Sequence, residues 1–104
     1  MSRELIDQQE IETALTTLNQ QSAGEWTFRD NRLHRKFAFG NFIQAMGFMM
    51  SAALAAEKMD HHPEWSNVYK TVEVALTTHS SGGVTQLDVS LARQMESLAQ
   101  PHNA

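Results

Sequence analysis

The residues best suited to chemistry stand together in "EKMDHHPEW", residues 57–65, where His61 and His62 adjoin just before Pro63. The chain has five histidines and no cysteine. A thiolate metal site and a cysteine nucleophile are therefore excluded, and any chemistry falls to His, Asp, Glu, Tyr or Ser. An imidazole titrates near pH 6.5 without help, so at neutral pH one ring can donate a proton while another accepts one. The residue before a proline is pushed out of the helical region, so His62 is expected to be extended while Glu57 and Lys58 still close a helix. Adjacent side chains on extended backbone point to opposite sides. The two rings should therefore diverge and address different sides of a cavity at a sheet edge. That suits an elimination of water, in which one group protonates the departing hydroxyl and another removes a proton elsewhere. The plainer reading is two solvated histidines beside a helix C-terminus, where positive charge suits the dipole.

Other residues divide in the same way. His61, His62 and His79 with Asp88 make a donor set that zinc accepts, but neighbouring residues rarely aim both rings at one ion, so no metal is expected. Asp88 lies three residues after Thr85, the spacing of a capping box, and an acid there could also orient an imidazole. Glu57 reads first as a solvated helix-end residue. Trp26 and Trp65 read first as core residues, with stacking on a flat ligand as the second use.

The elements that must position these groups follow from periodicity. Asp7 and Glu10 have capping-box spacing, and Ile11, Ala14, Leu15 and Leu18 form one stripe, predicting a helix over about 7–20. In "WTFRDNRLHRKFAF" the period changes to two. Leu33, Arg35, Phe37 and Phe39 alternate with Arg32, His34, Lys36 and Ala38, and Asp30-Asn31 supplies a tight turn, so a hairpin is predicted with His34 solvated on its polar face. A second helix starts at Asn41. Its apolar residues cover most of the circumference, so one face should meet the sheet and the other either a second copy or an irregular core. After Pro63, two extended segments follow, with Val72, Val74 and Leu76 on one face. "SSGG" turns the chain, and a last helix carries Leu87, Leu91, Met95 and Leu98. The predicted order is α-β-β-α-β-β-α, an α+β fold whose hairpins form an antiparallel sheet with three helices on one face.

Length and charge remove other classes. With 104 residues the chain is read as a single domain spanning 1–104. Eight basic against twelve acidic residues give a formal charge of −4, with no basic run dense enough for direct nucleic-acid binding. "MSRELIDQQE" lacks the apolar core of a signal peptide, and Gln44, Gly47 and Ser51 interrupt the most apolar segment, so a cytoplasmic protein without a membrane span is expected.

The order Glu57, His61-His62-Pro63, Tyr69, His79 and Asp88 resembles the signature of the pterin-4a-carbinolamine dehydratases, and "AEKMDHHPEWSNVY" is similar to their central segment. The likeness runs on through "FGNFIQAMGFM", the "LTTH" strand end and the last helix. It is weakest before Trp26 and after Leu98. The resemblance implies dehydration of 4a-hydroxytetrahydropterin to quinonoid dihydropterin, in recycling tetrahydrobiopterin for aromatic amino-acid hydroxylases. It maps the catalytic histidines onto His61, His62 and His79. Glu57, Asp60, Asp88 and Trp26 are expected to bind or orient the pterin, with Trp26 closing the pocket. No metal or other cofactor is implied. The implied fold is a four-stranded antiparallel sheet with three helices on one side, assembling as a homodimer or homotetramer through the 41–59 helix and a sheet edge. The family also suggests a rival role, a protein-interaction module serving as the dimerisation cofactor of a transcription factor, in which Met46, Phe48, Met49 and Met50 make the contacts.

Overall fold

Each helix begins where a side chain satisfies its first backbone donors. Asp7 accepts from the Glu10 N–H at 2.8 Å while Glu10 accepts from the Asp7 N–H at 3.1 Å, which starts α1 (Gln8–Gln21). Asn41 accepts from the Gln44 N–H to start α2 (Phe42–Met59), and a second capping box, Thr85 with Asp88, starts α3 (Gln86–Ala99). Strands β1 (Thr27–Arg29) and β2 (Arg32–Ala38) are joined through Asp30 and Asn31, with φ of 54° and 57°. Both central residues are left-handed, the conformation that lets a two-residue turn match strand twist. Strands β3 (Glu64–Val68) and β4 (Thr71–Leu76) form the other hairpin. This computed structural model describes residues 2–102.

The four strands run antiparallel in the order β1-β2-β4-β3, and the three α-helices cover one face. Alternation sends Leu33, Phe37, Val72, Val74 and Leu76 inward. Helix α2 meets them with Ala45, Phe48, Ala52 and Ala56, three of which are alanines that let the helix approach closely. The rings of Phe37 and Phe48 lie 4.7 Å apart, and Phe39 and Phe48 5.0 Å. Truncating a buried phenylalanine of this kind costs about 3–5 kcal/mol.

One alternative falls away and one expectation changes. The outer face of helix α2 does not fill an irregular core of its own chain, because Ile43, Met50 and Leu54 form an exposed ridge at 73%, 66% and 67% exposure, opposite the alanine stripe. Of the four residues expected to make protein contacts, Phe48 is fully buried in the core and Met49 packs against it, leaving Met50 as the most exposed. His34 is not solvated either. It is half-buried on the open face of the sheet with Nε2 out of water and without a hydrogen-bond partner, and burial, helped by the charge of Arg29, pushes its pKa below the ordinary 6.5. Among the described residues no helix is long and apolar enough to cross a membrane.

Candidate active site

Four chain segments meet at one end of the sheet. The pairing of Glu64 with Ala75 places residues 61–63, which lead into β3, beside residues 77–79, which leave β4. The C-terminus of α2 and the N-terminus of α3 close on the same end. At the former, the Asp60 N–H donates to the Glu57 carbonyl at 3.0 Å and the His61 N–H to the Ala56 carbonyl at 3.1 Å. This pair of bonds is a Schellman closure with Asp60 in the left-handed position, φ 53°. The capping bonds thus pin the backbone of His61 itself.

The two adjacent imidazoles do diverge. His61 is buried and its Nε2 lies 2.6 Å from Asp88 Oδ1, while His62 is exposed and its Nε2 lies 2.8 Å from Glu57 Oε1. The other oxygen of Asp88 accepts from the Thr78 hydroxyl at 2.8 Å and from the Thr85 N–H at 2.9 Å. Asp88 is fully buried, and every one of these contacts fixes its position. A carboxylate can only accept, so the imidazole nitrogen facing it carries the hydrogen and Nδ1 is left as the ring's accepting atom. The capping reading and the orienting reading of Asp88 are therefore both realised, one per oxygen.

His79 opens the 3-10 turn His79–Ser81, rather than ending a strand, and Gly82, with φ 79°, closes it. Its Nε2 lies 2.8 Å from Glu64 Oε2. Glu64 in turn receives two bonds from Arg32, Nε to Oε1 at 2.7 Å and a terminal nitrogen to Oε2 at 3.2 Å. Each of the three histidines thus faces its own carboxylate. Among the described residues no group of three or more His, Asp or Glu is arranged to hold a metal ion.

Not every expected residue joins the cluster. Trp26 lies in the core at 1% exposure, edge-on to Phe37, with its indole N–H donated to Glu96 at 2.8 Å. The Asn19 amide brackets its backbone, and at that exposure neither ring face is open for stacking. Asp60 closes α2 as its left-handed residue and bears on the site through the backbone of His61. Tyr69 sits in the β3–β4 turn, at the far end of the sheet from the histidines. A cavity of about 470 Å³ on the open face of the sheet is lined by His34, Lys36, Glu64 and Glu73 among others, and by none of the three histidines. The histidine cluster is an exposed shelf beside it, since the side chains of His62 and His79 are 60% and 71% exposed. Thr78, Glu64 and Arg32 are additions that sequence reasoning missed. The only local signal was the place of Glu64 next to Pro63.

Comparison with known proteins, by sequence and by fold, points to one family. The model of the family described as pterin 4 alpha carbinolamine dehydratase matches residues 4–98. A relative from Chelativorans sp. (strain BNC1), named "putative pterin-4-alpha-carbinolamine dehydratase", is 54% identical over 101 residues, covering 95% of this chain and 98% of that protein. A crystal structure described as a transcriptional coactivator/pterin dehydratase from Brucella melitensis superposes with a TM-score of 0.82 at 45% identity, over 90% of this chain and 97% of that one. A pterin dehydratase-like protein described as a RuBisCO assembly factor in the alpha-carboxysome shares the fold, with a TM-score of 0.61 at 21% identity over 73% of this chain and 88% of its own. With its fold and its matched segment in agreement, the chain belongs to the pterin-4-alpha-carbinolamine dehydratase family.

Proposed function

We propose that this protein dehydrates a 4a-hydroxytetrahydropterin to the quinonoid dihydropterin and water, as a step in recycling tetrahydrobiopterin for aromatic amino-acid hydroxylases. The carbon–oxygen bond at C4a breaks, and the departing hydroxyl takes a proton from one imidazolium. The proton on N5 passes to a second imidazole, and the electron pair it leaves becomes the new bond between N5 and C4a. Two proton-transfer groups must therefore reach different atoms of one bicyclic ring. His61 and His79 fill these roles, and His62 binds the pterin ring.

The observation that carries this reading is the buried Asp88, which holds His61 at 2.6 Å while Thr78, next in the chain to His79, holds Asp88. A stopped-flow absorbance assay on chemically generated 4a-hydroxytetrahydropterin tests it. Catalysed loss of the carbinolamine is expected, unchanged by a strong chelator. No acceleration over buffer removes the proposal, and a loss of activity that zinc restores replaces it with a metal mechanism.

A second reading rests on the exposed ridge of Ile43, Met50 and Leu54 and on the Brucella melitensis relative's description as a transcriptional coactivator. An exposed apolar ridge of this kind suits contact with another protein or a second copy. Homo-oligomers through this helix, and through the β3 edge where Val68 is 75% exposed, are part of the proposal. Ile43, Met50 and Leu54 are not among the residues that pair with the three histidines, so the two readings are compatible. Met50→Lys with Leu54→Lys should reduce the particle size in light scattering, and a monomeric wild type would contradict the assembly.

A further inference from the structure

We propose that Glu64, clamped by Arg32, is a positioning residue for His79, fixing the ring through Nε2 so that its Nδ1 faces the reacting pterin. This inference rests on the dehydratase reading and extends it to two residues outside the quoted signature. Arg32 opens β2 and Glu64 opens β3, strands separated by β4 in the sheet. Their side chains share the open face with Ala75, the direct partner of Glu64 on β4. Two strands away is roughly 10 Å, a span that the arginine side chain crosses on the diagonal, since Ala75, paired with His34 on β2, presents only a methyl group beside its path. The two-bond contact then leaves the Glu64 carboxylate one orientation, with Oε2 aimed at His79.

Stability does not account for the arrangement. His79 is 71% exposed and Glu64 and Arg32 are 40% and 32% exposed, and exposed ion pairs add little to folding. What the trio supplies is direction. His79 sits in a short 3-10 turn, and without a partner its ring would sample several rotamers. The trio has a counterpart on the buried side of the shelf: there Thr78 and Thr85 hold one oxygen of Asp88 and the other faces His61, whereas here a single guanidinium holds both oxygens of Glu64 and Oε2 lies 2.8 Å from His79 Nε2. The Arg32 hydrogen bond is the main cause that holds the Glu64 carboxyl below its ordinary pKa, with the charge of Arg32 and then contact with His79 adding to it.

Two measurements on the full chain decide the matter. In the first, the Glu64 carboxyl is titrated by carbon-detected NMR in wild type, Arg32→Gln and His79→Ala. The midpoint should rise in both variants, more in Arg32→Gln, and an unmoved midpoint in His79→Ala overturns the contact. In the second, Glu64→Ala should lower kcat for the carbinolamine about tenfold with KM within twofold. Glu64→Gln should recover part of the loss, and Glu64→Ala with His79→Ala together should be no slower than His79→Ala alone. Full activity in Glu64→Ala, or losses that multiply in the double variant, overturns the positioning role. A wild type without dehydratase activity overturns the functional reading and the catalytic half of this inference with it. The titration then still judges the contact, so the two failures are distinguishable.

Discussion

Helix α3 carries two buried carboxylates, Asp88 and Glu96, at 0% and 2% exposure, and they do different work. Glu96 Oε2 receives the Arg35 guanidinium at 2.9 Å, the Trp26 indole N–H at 2.8 Å and the Ser22 hydroxyl at 2.9 Å. The Arg35 guanidinium also lies 4.0 Å over the Phe37 ring. Asp88 receives two uncharged donors, and its third partner is an imidazole. A guanidinium keeps its proton at any pH a protein meets, so the Glu96 cluster is a permanent tie between sheet and helix. An imidazole, unlike a guanidinium, has a second ring nitrogen that can accept, so the same kind of burial at Asp88 holds a group with a free accepting atom. The difference teaches that burial alone does not mark a functional acid. What sets Asp88 apart from Glu96 is an imidazole partner at the edge of the fold.

The comparison breaks most clearly at Glu96. Glu96→Gln leaves a buried guanidinium unpaired and should cost about 3–5 kcal/mol in urea denaturation, while turnover per folded molecule stays at the wild-type level. On the other side, His61→Ala or His79→Ala should lower dehydration by about two orders of magnitude in a chain that still folds, as seen by circular dichroism. Unchanged turnover in both would remove the histidine assignment.

Smaller changes sharpen the contrast. Thr78→Val takes one donor from Asp88 and should cost about 1–2 kcal/mol of stability, with a fall in turnover that Thr78→Ser restores. Glu57→Gln touches only the exposed His62 pair and should move stability by less than about 0.5 kcal/mol. His34 gives a pH signature of its own. Its pKa is depressed in the fold, so below pH 6.5 the unfolded chain binds the proton more readily. Stability should be fully present above that value and fall as pH drops through it toward the folded pKa. His34→Gln should flatten this slope in thermal melts across the same window.

Much of the fold was legible because its signals are local. Capping pairs at Asp7 with Glu10 and Thr85 with Asp88, the Asp30-Asn31 turn and the period-two runs each act within a few residues, and each produced its element. The divergence of His61 and His62 was also readable, from Pro63 alone. Partnerships across the sheet were not. Nothing near Arg35 in the sequence shows that its alternation-given inward position is matched by Glu96, and nothing near Glu64 names Arg32 or His79. Trp26 lies in the core, its first reading, and its ties to Glu96 and Asn19, which take it away from the pocket role implied by the resemblance, were not legible for the same reason. His34 was misjudged because its burial depends on neighbours from other strands around the same hollow of the open face, which periodicity does not encode.

The proposed chemistry turns on the contact of Asp88 with His61, and single-turnover stopped-flow of Asp88→Asn beside wild type tests it directly. The asparagine keeps an oxygen for the cap but offers His61 no negative charge. A fall of about a hundredfold in the dehydration rate, in protein whose circular dichroism matches wild type, is the predicted result. An equal rate in the two proteins would contradict the account.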